Sequence, residues 1–272
     1  PLYVERELAF QISDSETEIM VTMDLKLLYP KVAAMLSQTE SLQQIVVCRM
    51  SPILPPLKGL LFGIVKRKEI AAVTDDETTM RFEDLINNDG QPEEVEIDIE
   101  QDIAVLQYTG GTTGRSKGAM LTHLCLHSNA EALVDTWRFG VNDVLIHALP
   151  IFHTHGLFVA TNVSLLSGSS MIFMHKFDTD GICQRMTEAS VLMGVPTFFH
   201  RLLQNQELEQ ASKNMRLFVS GSAPLLAQTH MLWRERTGHA ILERYGMTET
   251  NMNTSNPYDG ERRAGTVGFP LP

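Results

Sequence analysis

The sequence predicts an α/β fold, with mainly parallel sheets carrying helices on both faces. Three observations lead there. From Ile103 onward, short apolar runs alternate with longer amphipathic stretches, as strands buried on both faces and joined by crossover helices do. The composition, 43% hydrophobic and 20% charged over 272 residues, is that of a folded chain with apolar surface enough for a sizeable core. No apolar run reaches the roughly 20 residues that span a bilayer.

The part before Ile103 is less regular. Leu25–Leu36 and Leu57–Lys68 carry helical periodicity, and Ile45–Cys48 reads as a short buried strand. The stretch from Leu57 is apolar and ends in Lys66-Arg67-Lys68. A helix packed on the core with a solvated end is the plain reading. A weak membrane-surface contact through 57–68 is the sharper one, although Gly59 and Gly63 weaken the helix. Residues 74–102 form an acidic connector with a turn at Asn87-Asn-Asp-Gly90. Between Asp75 and Asp102 stand twelve acids and one base, which hold the whole net charge of −11 and leave the rest of the chain neutral. This balance argues against a nucleic-acid partner. It also leaves an anionic ligand unopposed elsewhere. The expected organisation is therefore a portion at 1–102 ending in the connector, and a second at 103–272.

In the second portion Ile103–Tyr108 is a strand, followed by a Gly/Thr-rich loop and a helix over about Thr122–Asp135. Strands then follow at Val144–Ala148, Met171–Phe173, Val191–Gly194, Arg216–Val219 and Ala240–Glu243. Helices alternate with them at Gly156–Leu166, Asp178–Glu188, from Pro196, and at Pro224–Thr237. Ligands of such sheets sit at the carboxyl ends of the strands. Cys48, Cys125 and Cys183 are scattered and odd in number, so buried, reduced thiols and a cytoplasmic location are expected. The chain starts at Pro1 with no signal-peptide pattern and stops in an apolar stretch at Pro272, which reads as part of a longer protein.

The chemistry concentrates after the predicted strand ends. Tyr108-Thr-Gly-Gly-Thr-Thr-Gly-Arg-Ser-Lys-Gly118 combines glycines that free backbone N–H groups, hydroxyl donors and a cation, the makings of an oxyanion cradle. Lys117 is followed by Gly118 rather than Ser or Thr, so the loop is not a Walker A motif. Taken alone, His153 and His155 could be a metal pair, but no third ligand is evident.

This loop closely resembles the phosphate loop of the acyl-adenylate-forming enzymes, the acyl-CoA synthetases among them. Three further stretches resemble that family's motifs in order. They are Pro150-Ile-Phe-His-Thr-His-Gly156, Ser220-Gly-Ser-Ala-Pro-Leu225 and Glu243-Arg-Tyr-Gly-Met-Thr-Glu249. The part before the phosphate loop is similar to long-chain fatty-acid ligases, and the part from Arg115 onward to malonyl-CoA synthetases. The resemblance implies part of the large N-terminal domain of an adenylate-forming enzyme, with the small C-terminal lid lying beyond Pro272.

It further implies ATP, Mg²⁺ and coenzyme A as reactants, with a small carboxylic acid. Thr109, Gly110, Gly111, Thr112, Thr113, Gly114 and Lys117 would cradle phosphate. Gly221, Ser222 and Ala223 would line adenine, on which Tyr245 beside Gly246 would stack. Thr248 would bond the α-phosphate and Glu249 would hold Mg²⁺, making Lys117, Thr248 and Glu249 the catalytic set. His153, His155 and Ser220 would meet the acyl group. By the same resemblance Arg201 would pair with a distal carboxylate, which favours malonate or a related dicarboxylate over a medium- or long-chain fatty acid. The rival of another class is a catalytically incompetent nucleotide-binding fragment.

Overall fold

A computed structural model describes residues 3–74, 76–110 and 115–272. The chain forms two compact units, Pro1–Glu96 and Ile97–Pro272. The first is built on three parallel strands in sequence order, β1 (Ile19–Met23), β2 (Gln44–Cys48) and β3 (Thr79–Arg81). Helices Glu5–Asp14 and Tyr29–Met35 supply Ile12, Tyr29, Val32 and Met35, which are buried with Leu42, Ile45 and Val47. The second helix starts at Tyr29 rather than Leu25 because Pro30 suits a first turn and Leu25 bridges to Ile70. The acidic stretch is not wholly a connector. β3 and the short helix Phe82–Leu85 lie inside it. The turn at Asn88–Gly90 forms as expected: the Gly90 N–H donates to Asn88 Oδ1 at 2.8 Å, and Gly90 has a φ of +71°.

The second unit opens with a hairpin, β4 (Ile103–Thr109) and β5 (Lys117–Thr122), paired antiparallel with Thr109 opposite Lys117. This corrects the expected order of strand, loop and helix. β5 intervenes before the helix His123–Trp137, whose N-cap Thr122 accepts from the Cys125 N–H. The hairpin is a separate two-stranded sheet, not an edge of the large one.

The large sheet comprises β6 (Val144–His147), β7 (Ser170–Phe173), β8 (Val191–Gly194), β9 (Leu217–Ser220), β10 (Leu242–Met247), β11 (Asn251–Ser255) and β12 (Phe269–Pro270). Its order is β12-β11-β10-β9-β8-β6-β7, parallel from β7 to β10 and antiparallel beyond. Neighbouring residues on one strand enter opposite cores. Ile146, Leu192 and Phe218 pack with Phe199 and Trp233 on one face. Leu145, Val191, Met193, Leu217 and Val219 pack with Leu133 and Trp137 on the other. A period-two alternation with both faces covered is why these strands read as unbroken apolar runs.

The amino edge is held by charge. Arg216 Nε lies 2.7 Å from Asp143 Oδ1, which also accepts from Ser190 Oγ at 2.7 Å. Burial alone would raise the Asp143 pKa, but the bonds from Arg216 and Ser190 bring it below the usual carboxylate range. The opposite, carboxyl edge carries the motifs.

Candidate active site

After β6 the chain turns through Pro150–His153 and enters a π-helix, His155–Thr161, that continues as the helix Asn162–Ser167. Single π turns often mark functional positions. Gly156 is required there: a Cβ would collide with the carbonyl of Pro150. The His147 Nε2–H donates to the Gly156 carbonyl at 2.9 Å, tying the turn to the strand it left. The result is that His155 points inward, only 3% exposed, while His153 remains on the surface. His155 Nδ1 lies 3.1 Å from Ser222 Oγ, and its Nε2 is buried without a partner among the described residues. Burial, then the neighbouring Arg244, His147 and His153, push the His155 pKa well below 6.5. It is a neutral imidazole at physiological pH.

After β9 the chain passes Ser220, fully buried, and Gly221 before Ser222 adopts a left-handed φ of +70°. Such a φ is strained for a residue with a Cβ and signals a conformation imposed from outside. The turn is held by the Glu243 carboxylate, which accepts the Leu225 N–H at 2.8 Å. Burial raises the Glu243 pKa against that bond. Ser222, Ala223 and Pro224 are left exposed. Gly221 has no room for a side chain because the Arg244 guanidinium lies against it.

Arg244 is the residue that sequence reasoning missed. It is 3% exposed, and its Nε and Nη2 have no hydrogen-bond partner among the described residues. Burial pushes its pKa down from 12.5 to about 9. It therefore stays charged at neutral pH, with those two nitrogens unmet among the described residues. An isolated buried charge costs several kcal/mol, so an anion is the natural complement. A cation between the buried Leu242 and the β-bulge at Tyr245/Gly246 needs a partner, and the strand runs on to Met247 rather than ending at Glu243.

β10 then presents Tyr245, 45% exposed and free to stack. Gly246 lets β11 approach, since a Cβ would meet the Asn251 carbonyl. Thr248 Oγ1 is 3.5 Å from Thr154 Oγ1, which joins this motif to the His153–His155 turn. Glu249 is exposed and lines a small cleft of about 240 Å³ with Cys125, Asn129 and Asn251. Cys125 is exposed, Cys48 partly so and only Cys183 buried, which corrects the expectation of three buried thiols; all three are free. The helix from His123 is pinned beside this motif by Asn129, which exchanges two bonds with Met252.

The structure thus gathers Thr154, His155, Ser220, Gly221, Ser222, Arg244 and Thr248. A cavity of about 710 Å³ opens beside them, bounded by Phe152, His155, Phe177, Phe198 and Ser222 among others. Its lining is mostly apolar. Arg201 does not line it. The residue is exposed, with its guanidinium 4.6 Å over the Phe177 ring, so the expected facing of the acyl pocket holds only through that ring. Lys117 is exposed at the start of β5, with the Thr109 hydroxyl 3.5 Å from its carbonyl. Among the described residues no ion pair engages Lys117. Gly110 belongs to the described residues, whereas Gly111, Thr112, Thr113 and Gly114 lie outside them. No group of three or more His, Cys, Asp or Glu side chains suited to a metal is found among the described residues, so the His153/His155 pair gains no third ligand. The oxygen donors Thr248 and Glu249 suit a hard cation, which ordinarily completes its shell with water and phosphate oxygens.

Comparison with known proteins places the chain in a family. A long-chain-fatty-acid–CoA ligase of Bacillus subtilis is 31% identical, with 100% of this chain and 50% of that protein aligned. A malonate–CoA ligase of Arabidopsis thaliana is 40% identical over 63% of this chain and 32% of its own length. The crystal structure of ATP-bound MatB from Rhodopseudomonas palustris superposes with a TM-score of 0.75 at 45% identity, covering 100% of this chain and 48% of that one. The chain spans a third to a half of the length of these curated relatives. The model of the AMP-binding enzyme family matches residues 1–272, and the chain belongs to that family.

Proposed function

We propose that the protein containing this chain activates a carboxylic acid with ATP, forming an acyl-adenylate and pyrophosphate, and then transfers the acyl group to the thiol of coenzyme A. The acid is malonate or a close dicarboxylate. No protein nucleophile is needed. The substrate carboxylate attacks the α-phosphate, and the site's task is to position the two and neutralise charge. Gly221 to Ala223 and the exposed Tyr245 ring would hold adenine, and Lys117 with its loop would hold phosphate. Thr248 would bond the α-phosphate and Glu249 would supply an oxygen donor for Mg²⁺, whose chemistry when bound is to neutralise the departing pyrophosphate. A neutral, buried His155 can orient the acid through a hydrogen bond without adding charge.

The observation that carries the dicarboxylate reading is Arg244. A buried guanidinium against Gly221 and near His155, with two nitrogens unmet among the described residues, suits a second carboxylate by two-point bonding. Similarity to malonate–CoA ligases supports the same choice. Arg201 would then tune the far wall of the cavity through Phe177. One feature favours the alternative, a medium- or long-chain fatty acid. The cavity is large and rich in phenylalanine, and the 31% identical fatty-acid ligase aligns with the whole chain.

The two readings separate on kcat/KM for malonate and octanoate in the full-length protein. Arg244→Ala should cost about 2–4 kcal/mol with malonate, roughly 30- to 1,000-fold, and little with octanoate. Arg201→Ala should cost less. A malonate/octanoate ratio left unchanged by Arg244→Ala would overturn the dicarboxylate reading and leave the fatty-acid one.

A further inference from the structure

The helix Pro56–Val65 is built inside out. Its small residues face the protein, with Gly59 buried against the backbone of Ser51 and Gly63 beside the same residue. Its large apolar residues face away. Leu57, Leu60, Leu61, Ile64 and Val65 are 51–71% exposed. At 100° per residue these five fall within one face of the helix. A core helix of this composition would turn that face inward, so burial in the unit does not explain it. Five adjacent exposed aliphatic side chains make a contiguous patch of the kind that marks an interaction surface.

The patch also carries charge of one sign. Lys58 lies within the helix and Lys66, Arg67 and Lys68 follow its last residue. Glu69 is the sole acid of that stretch and pairs with Lys66 at 2.6 Å. Among the described residues no acid pairs with Lys58, Arg67 or Lys68. The chain as a whole has a net charge of −11, so a basic end on an apolar face is a local departure from its balance. No helix among the described residues is long and apolar enough to cross a membrane. Side chains that sink about 5–10 Å into the headgroup boundary, flanked by lysine and arginine at phosphate level, describe an interfacial helix.

We infer that the Pro56–Val65 helix with its Lys66–Lys68 tail docks the protein reversibly on an anionic phospholipid surface. The aliphatic face enters the acyl boundary and the cations meet lipid phosphate. The contact is weak, because one short helix buries little apolar area and a single such signal gives marginal anchoring. This inference does not depend on which acid the site activates.

The test is co-sedimentation of the full-length protein with vesicles of phosphatidylcholine and phosphatidylglycerol, and with vesicles of phosphatidylcholine alone. Binding should require phosphatidylglycerol and fall as sodium chloride is raised. Arg67→Gln with Lys68→Gln should weaken it about 30-fold, as removal of two juxtamembrane cations does. Leu60→Ser with Ile64→Ser should weaken it about tenfold or more. Circular dichroism and the thermal midpoint should be unchanged in both variants, because the side chains are on the surface. Failure to sediment, or equal sedimentation with both vesicle types, would overturn the proposal. So would a concentration-dependent doubling of mass, abolished by Leu60→Ser with Ile64→Ser in the absence of lipid binding, which would assign the face to a second copy of the protein.

Discussion

Replacing Arg244 by methionine should make the unliganded protein more stable and its site less able to hold malonate. The guanidinium is 3% exposed with two nitrogens unpartnered. Its pKa falls from 12.5 to about 9 through burial. At 1.36 kcal/mol per pH unit, that fall places about 5 kcal/mol against the charged form. Methionine has similar length, fills the space against Gly221 and carries no charge. Part of the gain is lost to imperfect packing, so a net stabilisation of about 1–3 kcal/mol is expected. For a unit of this size each kcal/mol moves the midpoint by about 2–4 °C. Differential scanning calorimetry should therefore show the variant melting about 2–12 °C higher. With a non-hydrolysable ATP analogue already present, added malonate should raise the midpoint of the wild-type protein further and leave that of the variant unmoved. A variant destabilised by more than about 1 kcal/mol would refute the reasoning, because the guanidinium would then be holding the fold.

Three further outcomes follow from the same geometry. Lys117→Ala should weaken triphosphate binding by about tenfold or more and adenosine binding little, measured by calorimetry, because the side chain is a solvated cation placed next to the loop; equal losses would make it structural. Glu249→Gln should blunt the Mg²⁺ dependence of adenylation while the melting profile stays the same, since an amide is a poor ligand for a hard cation; an unchanged Mg²⁺ titration would place the metal elsewhere. The burial that lowers the His155 pKa far below 6.5 makes stability fully present above the unfolded value and lost as pH drops below it, with a slope approaching about 1.4 kcal/mol per pH unit. His155→Gln should flatten chemical-denaturation stability between pH 6.5 and pH 5, and an unaltered slope would contradict a buried neutral imidazole.

The central strands were legible because they are buried on both faces. Leu145 and Ile146, or Leu217 and Phe218, enter opposite cores, so no polar residue interrupts the run. Strands with one open face were not. β1 reads Ile-Met-Val-Thr-Met, but Ile19 and Val21 are exposed, and nothing in the composition separates it from a loop. β5 hid behind the glycine signal, since Lys117-Gly118 looks like the loop that precedes it. Gly118 is there so that the Tyr108 ring can lie across the strand, 3.1 Å from where a Cβ would be. β11 and β12 belong to an antiparallel extension that the parallel pattern does not announce.

The site was legible where its residues are small or repeated. Glycines, threonines and the Tyr-Gly-Met-Thr-Glu run stand out in any reading. Arg244 did not stand out, because its importance lies in what it lacks, and an unmet hydrogen bond has no sequence signature. Arg201 illustrates the converse. It fits a motif, and its guanidinium lies 4.6 Å over the ring of Phe177, a residue that lines the cavity. Both outcomes follow from strand and helix phase, which a residue's neighbours in sequence only partly set.

In the proposed reaction the carboxyl edge of the large sheet would join a carboxylate to the α-phosphate of ATP. Exchange of labelled pyrophosphate into ATP reads that step without requiring coenzyme A. In the full-length protein exchange should depend on added acid and be faster with malonate than with octanoate. Both rates should collapse in Lys117→Ala, while Arg244→Ala should remove the malonate advantage alone. Exchange that proceeds equally without any acid, or that no acid supports, would contradict the account.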